Sequence, residues 1–209
     1  MITYILIGIT VAVSFLAWEK KILFSKFMMN PYRIHRNHEY YRFITSGFIH
    51  KDHMHLLFNM FSFYFFGLAV ERVFGYVFGD AGAIYYIVLY LLAIVISDLP
   101  SYQKFKNYAG YNSLGASGGV SAVIFAFIIF QPLAPICLFA ALCLPGFIMG
   151  TLYVVFSYYQ GRKSNDNINH DAHLYGALFG LVFCMVLYPA SISEFFAQIR
   201  QWDFLEKFF

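Results

Sequence analysis

Charged side chains are scarce: Asp, Glu, Lys and Arg make up 12% of the 209 residues, against roughly 25% in ordinary soluble domains. That shortage excludes a conventional solvated surface. The formal net charge of +3 is too small and too scattered to attract a polyanion, so nucleic acid is not an expected partner. Only three cysteines occur, Cys137, Cys143 and Cys184. All lie inside apolar runs and follow neither a disulfide framework nor a zinc-ligand spacing, so they are expected to be buried packing residues. The opening "MITYILIGITVAVSFLAWEKK" lacks a basic start and a small-residue cleavage site, which predicts a retained span and not a removable signal. No long repeat, low-complexity tract or second soluble domain is visible. His50, His53 and His55 lie close together and His170 near His173, but without a His-Glu-x-x-His pattern or a carboxylate cluster no metal is expected.

What fills the chain is apolar. Hydrophobic residues reach 60%, aromatics 22% and mean hydropathy +0.63, a composition suited to lipid and its two interfaces. A bilayer core needs about 20 apolar residues per helix, and six runs come near that length: roughly 2–24, 54–76, 81–99, 115–131, 134–160 and 172–190. The fold class expected is therefore an all-α polytopic membrane protein, a six-helix bundle forming a single domain over 1–209, with both termini on one side. The loop "SKFMMNPYRIHRNHEYYRFITSGFIHKDH" between the first two runs reads as interfacial and partly folded, with a turn at Asn30-Pro31. In the tail, 191–209, Phe195, Phe196, Ile199, Trp202, Leu205 and Phe209 recur at helical spacing opposite Arg200, Asp203 and Lys207. This predicts an amphipathic helix on the membrane surface.

Intramembrane polar groups are costly and point to function. His55 and Asn59 open the second run, Ser117 the fourth and His173 the sixth. Even-numbered spans run in one direction, so the four residues are expected at similar depth. His55 and Asn59, four apart, share a helix face. Gly176 and Gly180 follow His173 on about its own face, and Ser117 is followed by Gly118, Gly119, Ser121 and Ala122. Small residues permit close helix contact in membranes. The chemistry such a set allows is acyl transfer. Ser117 is the nucleophile and neutral His173 the base that returns the proton to the leaving amine. The Ser117 backbone N–H, the Asn59 amide and the His55 ring are the donors for the oxyanion. Hydrolysis further requires a wet cavity opening on that side.

Each residue alone has a plainer reading. "GASGG" suits a packing seam, Asn59 an interhelical hydrogen bond, His55 an interfacial anchor, and His173 a satisfied or cavity-lining histidine. The match of Gly115 to Gly119 to the Gly-x-Ser-x-Gly elbow of soluble hydrolases fails, because that motif needs a preceding strand and an acid between serine and histidine. The four residues together, on parallel spans, favour catalysis over a transporter or channel with a small polar cavity.

"HLLFN" in the second run, "GASG" opening the fourth and "AHLYGALFG" in the sixth resemble the rhomboid family of intramembrane serine proteases, as do "YYR" (Tyr40 to Arg42) and "AVERVFG" (Ala69 to Gly75). The resemblance implies a Ser117/His173 dyad without an acid, with His55 and Asn59 on the oxyanion side. It also implies cleavage in or beside a transmembrane segment of another protein within the lipid bilayer, without a cofactor. The runner-up is an inactive relative that binds transmembrane helices. Residues 134–160 and the loop after them are the expected lateral gate, with Pro145, Gly146 and Gly150 easing a bend. No signal of oligomeric state is present.

Two departures stand out. Many family members carry a tyrosine one turn after the serine, stacked under the histidine, where this chain has Ser121; Tyr175 or an aromatic of a neighbouring span is expected to orient His173 instead. The odd-numbered loops hold Lys20, Lys21, Lys26, Arg33, Arg36, Arg42, Lys51, Lys104, Lys106, Arg162 and Lys163, against Arg72, Arg200 and Lys207 on the other face. The positive-inside rule puts the first set in the cytoplasm, whereas the resemblance implies a bacterial inner-membrane protein with its site facing outward. The expectation adopted is the outward one.

Overall fold

The computed structural model describes residues 1–138, 142–163 and 168–202. α1 (Ile2–Glu19) starts where the Glu71 carboxylate accepts from the backbone N–H groups of Ile2 and Thr3 at 2.8 and 3.0 Å. A negative charge there answers the unsatisfied N–H groups of a helix start. The chain leaves the helix at Lys20 (φ −114°, ψ 89°) and resumes as α2 (Lys21–Phe27), so the first run of 2–24 is two helices.

The first loop is folded, as expected. Asn30-Pro31 begins α3 (Pro31–Asn37), with the Asn30 side chain accepting from Arg33 N–H at 2.8 Å, the ordinary use of Asn at a cap and Pro at the first helical position. α4 (Arg42–Thr45) follows. The Arg42 side chain is buried, donating through Nε to Glu39 and through Nη1 to the carbonyls of Met28 (2.7 Å) and Ser25 (3.0 Å). "YYR" thus supplies a guanidinium that satisfies carbonyls left open by α2.

α5 (His53–Phe78) is capped by Asp52, which accepts from His55 N–H at 2.8 Å. α6 (Gly82–Phe105) runs past the expected end at 99, through Pro100. α7 (Ser117–Phe130) is only 14 residues, about 21 Å at 1.5 Å per residue against a hydrocarbon core of about 30 Å. Its buried residues run from Gly118 continuously to Val123 and on to Phe125, Ala126, Ile128 and Ile129, covering every face of the helix. It is therefore the inner helix, sheathed by α5, α6 and α9 (His170–Leu187). α5, by contrast, turns Leu57, Phe58, Phe61 and Phe65 outward. α1, the α5–α6 stretch and α9 are long and apolar enough to cross a membrane.

Two expectations need correction in the fifth run. Residues 134–160 are not one helix: β1 (Pro135–Leu138) and β2 (Leu142–Pro145) form an antiparallel hairpin before α8 (Gly146–Lys163) begins. Pro132, Pro135 and Pro145 explain this, since each removes an N–H that a helix interior would need. Cys137 and Cys143 are not independent packing residues. They face each other across the hairpin and form a disulfide, while Cys184 is free and buried as expected. α10 (Ala190–Arg200) accounts for the start of the tail. There Phe195 packs on the core and Trp202 meets Phe147 edge-on at 5.2 Å. The expected positions of Asp203, Leu205, Lys207 and Phe209 lie outside the described residues.

α9 and α7 meet through glycine. A side-chain carbon at Gly176 would overlap the Gly118 carbonyl, and one at Gly180 the Ala122 carbonyl. Gly176 and Gly180 are one turn apart, as are Gly118 and Ala122, so two backbones touch along a row of small residues.

Candidate active site

Ser117 is the first residue of α7, and the chain reaching it is held at several points. Met29 and Ser113 exchange two backbone hydrogen bonds of 3.0 Å, and Asn30 Nδ2 donates to Tyr111 O and Asn112 Oδ1. The first loop thereby fastens the loop that carries Ser117. Gly115 N–H donates to Ser46 O at 2.9 Å and Gly115 has φ +118°, a conformation only glycine takes without strain.

His50 fixes the last step. Its ring is fully buried, and Nε2 accepts from Ala116 N–H at 3.2 Å. That leaves the proton on Nδ1, which faces Ser14 Oγ at 3.1 Å, while the Ser14 hydroxyl donates to Phe48 O. Burial, with a smaller effect from neighbouring His55, pushes the His50 pKa down to about 3, so the ring stays neutral and keeps this tautomer.

His55 stands in the first turn of α5. A side-chain carbon at Gly115 would lie 2.6 Å from its Cε1 and 2.9 Å from its Nε2; the bare glycine lets the ring press on the backbone two residues before Ser117. Lys51 N–H points at His55 Nδ1 from 3.4 Å, which assigns the ring proton to Nε2, on the Gly115 side. One turn on, Asn59 is buried and donates through Nδ2 to His55 O at 2.9 Å, leaving its second amide hydrogen and its carbonyl oxygen for other partners.

His173 lies in the first turn of α9, whose start is set from α6. Asn169 caps it, accepting from Ala172 N–H at 3.1 Å. Asn169 in turn accepts from Ser101 Oγ at 3.2 Å and donates to Asp98 Oδ1 at 3.4 Å, and Asp98 Oδ2 accepts from Ser46 Oγ at 3.4 Å. The helices that carry Ser117 and His173 meet beside them: a side-chain carbon at Gly176 would overlap the Gly118 carbonyl, and one at Gly118 would reach 3.5 Å from the Ala172 carbonyl. The His173 ring lies nearly parallel to Tyr153 of α8, centroids 6.2 Å apart at 19°, and edge-on to His170 at 6.0 Å. The Tyr153 hydroxyl meets Ser121 Oγ at 2.7 Å. An aromatic from a neighbouring helix thus faces His173, while Tyr175 is exposed.

The structure therefore brings the start of α5, the start of α7 and the start of α9 to one place. Two imidazoles, an amide, a hydroxyl and a helix N-terminus share a small region, a set that can polarise a carbonyl and move a proton. Among the described residues no three His, Cys, Asp or Glu side chains gather as a metal-ligand set. His50 and His53 have separate partners, the His53 ring packing at a tilt on Trp18 with centroids 4.3 Å apart. Two cavities of about 420 and 550 Å³ open beside Arg42 in the first loop, and neither is lined by Ser117, His173, His55 or Asn59.

Sequence reasoning missed His50, Asp98 and Asn169 as parts that hold the site. Asp98 was legible as an ionisable residue in an apolar run, and Asn169 as a capping residue before a helix. His50 carried no signal of its own beyond its two histidine neighbours.

The class so defined is an integral membrane protein of helical-bundle fold with a polar cluster at one end of three helices. The rhomboid domain model matches residues 37–190, and the chain belongs to the rhomboid family. It is 27% identical over 187 residues to RHOMBOID-like protein 12, mitochondrial, of Arabidopsis thaliana, covering 83% of this chain and 55% of that one. It is 30% identical over 181 residues to Rhomboid-like protein 11, chloroplastic, of the same plant, covering 78% of this chain and 59% of the other. The chain thus spans little more than half the length of these curated relatives.

Proposed function

We propose that the chain is an intramembrane serine endopeptidase that cleaves transmembrane protein substrates in or beside their spans. Ser117 Oγ attacks the scissile carbonyl while His173 takes its proton. The oxyanion is held by the Ser117 N–H, the Asn59 amide and His55 Nε2–H. His173 then gives the proton to the leaving amine, and a water, activated by the same imidazole, hydrolyses the acyl-enzyme and frees Ser117. No metal or cofactor enters these steps. The helices α1, α5, α6, α7, α8 and α9 are taken as the six spans, α7 being the short inner one.

The observation that carries this reading is the approach of Gly176 to the Gly118 carbonyl: the helices of the nucleophile and the base touch backbone to backbone at a glycine seam, one residue after Ser117 and three after His173, where any larger residue at 176 would hold them apart. An inactive relative that only binds transmembrane helices would need the seam but not the donors around it. Ser117→Ala separates the two. Purified full-length protein is expected to cleave a model transmembrane substrate, and the variant to lose cleavage while keeping its thermal unfolding transition; undiminished cleavage by the variant would rule the dyad out.

For orientation the outward-facing site is carried over from the rhomboid resemblance alone. The opposite arrangement is favoured by the Lys and Arg excess of the first, third and fifth loops and by the Cys137–Cys143 disulfide at the far end of α7 from Ser117, since disulfides persist on oxidising faces. Labelling of a single engineered cysteine in the first loop with a membrane-impermeant maleimide, on whole cells, decides between them.

A further inference from the structure

We infer that Tyr153, reaching in from α8, is the positioning residue for His173, and that Ser121 pins it there, so that the orientation of the base depends on where α8 sits. The inference rests on the protease reading above.

The geometry is specific. The Tyr153 ring lies 6.2 Å from the His173 ring at 19°, and its hydroxyl makes a 2.7 Å bond to Ser121 Oγ. Phe125, one turn beyond Ser121 on α7, also packs against the ring, centroids 5.7 Å apart at 48°. The ring is therefore held by α7 at its hydroxyl and through Phe125 while it faces His173. A buried tyrosine hydroxyl needs a polar partner, and Ser121, itself buried, supplies one that is short enough to leave room for the ring. A large residue at 121 would fill the same space from α7. Ser121 and Tyr153 thus form one unit: the small residue on α7 and the long one on α8 are complementary.

The helix that carries the ring is anchored at its start and meets α7 through side chains beyond it. Its first residues are tied by backbone, Gly146 N–H donating to Ala134 O at 2.9 Å and Phe147 N–H to Pro132 O at 3.0 Å; one turn on, Gly150 faces α7 across the side-chain ends of Ile128 and Phe125. Outward it turns Leu152, Val155, Phe156 and Tyr159 to the lipid side. Tyr153–Ser121 is the one side-chain hydrogen bond found between α8 and α7 among the described residues. A sideways displacement of α8 breaks that bond and withdraws the ring from His173 in the same movement. A substrate helix that parts α8 from α7 would leave the base less firmly held until α8 returns.

The test uses a fluorophosphonate on purified full-length protein, with labelling of Ser117 followed against time and probe concentration and thermal unfolding measured for each variant. Loss of a ring contact is expected to slow the maximal labelling rate of Tyr153→Leu about 5- to 10-fold, with the half-saturating probe concentration unchanged. Tyr153→Phe keeps the ring and is expected to stay within about 3-fold of the parent, the loss of one hydrogen bond. The exchange Ser121→Tyr with Tyr153→Ser moves the ring from α8 to α7 and is expected to restore the rate; a residue that served only to stabilise the fold would not be rescued in rate by relocation. Equal rates for Tyr153→Leu and the parent overturn the inference, as does a slow Tyr153→Leu whose rate the exchange fails to restore. If Tyr153→Leu does not fold, the exchange variant decides by the same criterion. A parent protein that never labels overturns the protease reading itself, which is a different result from a parent and variant that label alike.

Discussion

Two neighbouring faces of α7 are built differently. Against α9 it packs backbone to backbone: Gly176 and Gly180 leave no room for a single added carbon beside the carbonyls of Gly118 and Ala122. Against α8 it packs through side chains that can yield, with one polar pin at Ser121. The proposed nucleophile and base are carried on the rigid seam, so their separation is set by two backbones. The ring that faces the base is carried on the yielding one. On the proposed function, admitting a helix from the bilayer while holding a catalytic pair in register needs both kinds of contact, and here they occupy neighbouring faces of one short helix.

The largest effects are expected at the residues around the seam's mouth. His55→Ala and Asn59→Ala should each lower turnover of a transmembrane substrate by about 10²- to 10³-fold if they supply oxyanion donors; unchanged turnover in both would return them to packing roles. Next comes the seam itself. Gly180→Ala meets a backbone carbonyl that cannot move without shifting the helix, and should destabilise the fold by about 1–3 kcal/mol in reversible unfolding. The same change at Gly150 meets the Cδ1 end of Ile128 at 2.9 Å, and gains helix propensity, so it should fall within about 1 kcal/mol of the parent. Equal costs at the two glycines would erase the contrast between the two faces.

A smaller, pH-dependent effect belongs to the loop before Ser117. His50 is neutral in the fold with its pKa down at about 3, against about 6.5 unfolded. The unfolded chain therefore binds the proton first. Stability is fully present above pH 6.5 and declines as pH falls from there towards 3, by about 1.4 kcal/mol per unit, or about 2 kcal/mol by pH 5. Unfolding measured from pH 7 to 5 should show a shallower decline in His50→Gln, whose amide oxygen can still accept from Ala116 N–H.

Much of this was legible in the chain. His55, Asn59, Ser117 and His173 were expected at one depth because they open alternate helices, and the three helix starts do meet. The seam was legible from Gly176 and Gly180, since small residues four apart have one common use in a membrane helix. The fifth run was misread because an apolar composition does not separate helix from hairpin: Pro132, Pro135 and Pro145 outweighed it, and the spacing of Cys137 and Cys143 resembles a disulfide only once the hairpin exists. Asp98 was passed over for want of a partner, and that partner, Asn169, is 71 residues away in sequence. The same distance problem hid Tyr153. An absent ring at 121 was visible, but which helix would replace it depends on tertiary packing that periodicity does not encode.

The central claim is that Ser117 is made nucleophilic by His173. Fluorophosphonate labelling of the purified protein, with the adduct located by mass spectrometry, tests it most directly. The expected result is a covalent adduct on Ser117 that disappears in His173→Ala while the thermal transition is retained. An unlabelled Ser117, or an adduct that forms as fast without His173 as with it, would contradict the claim.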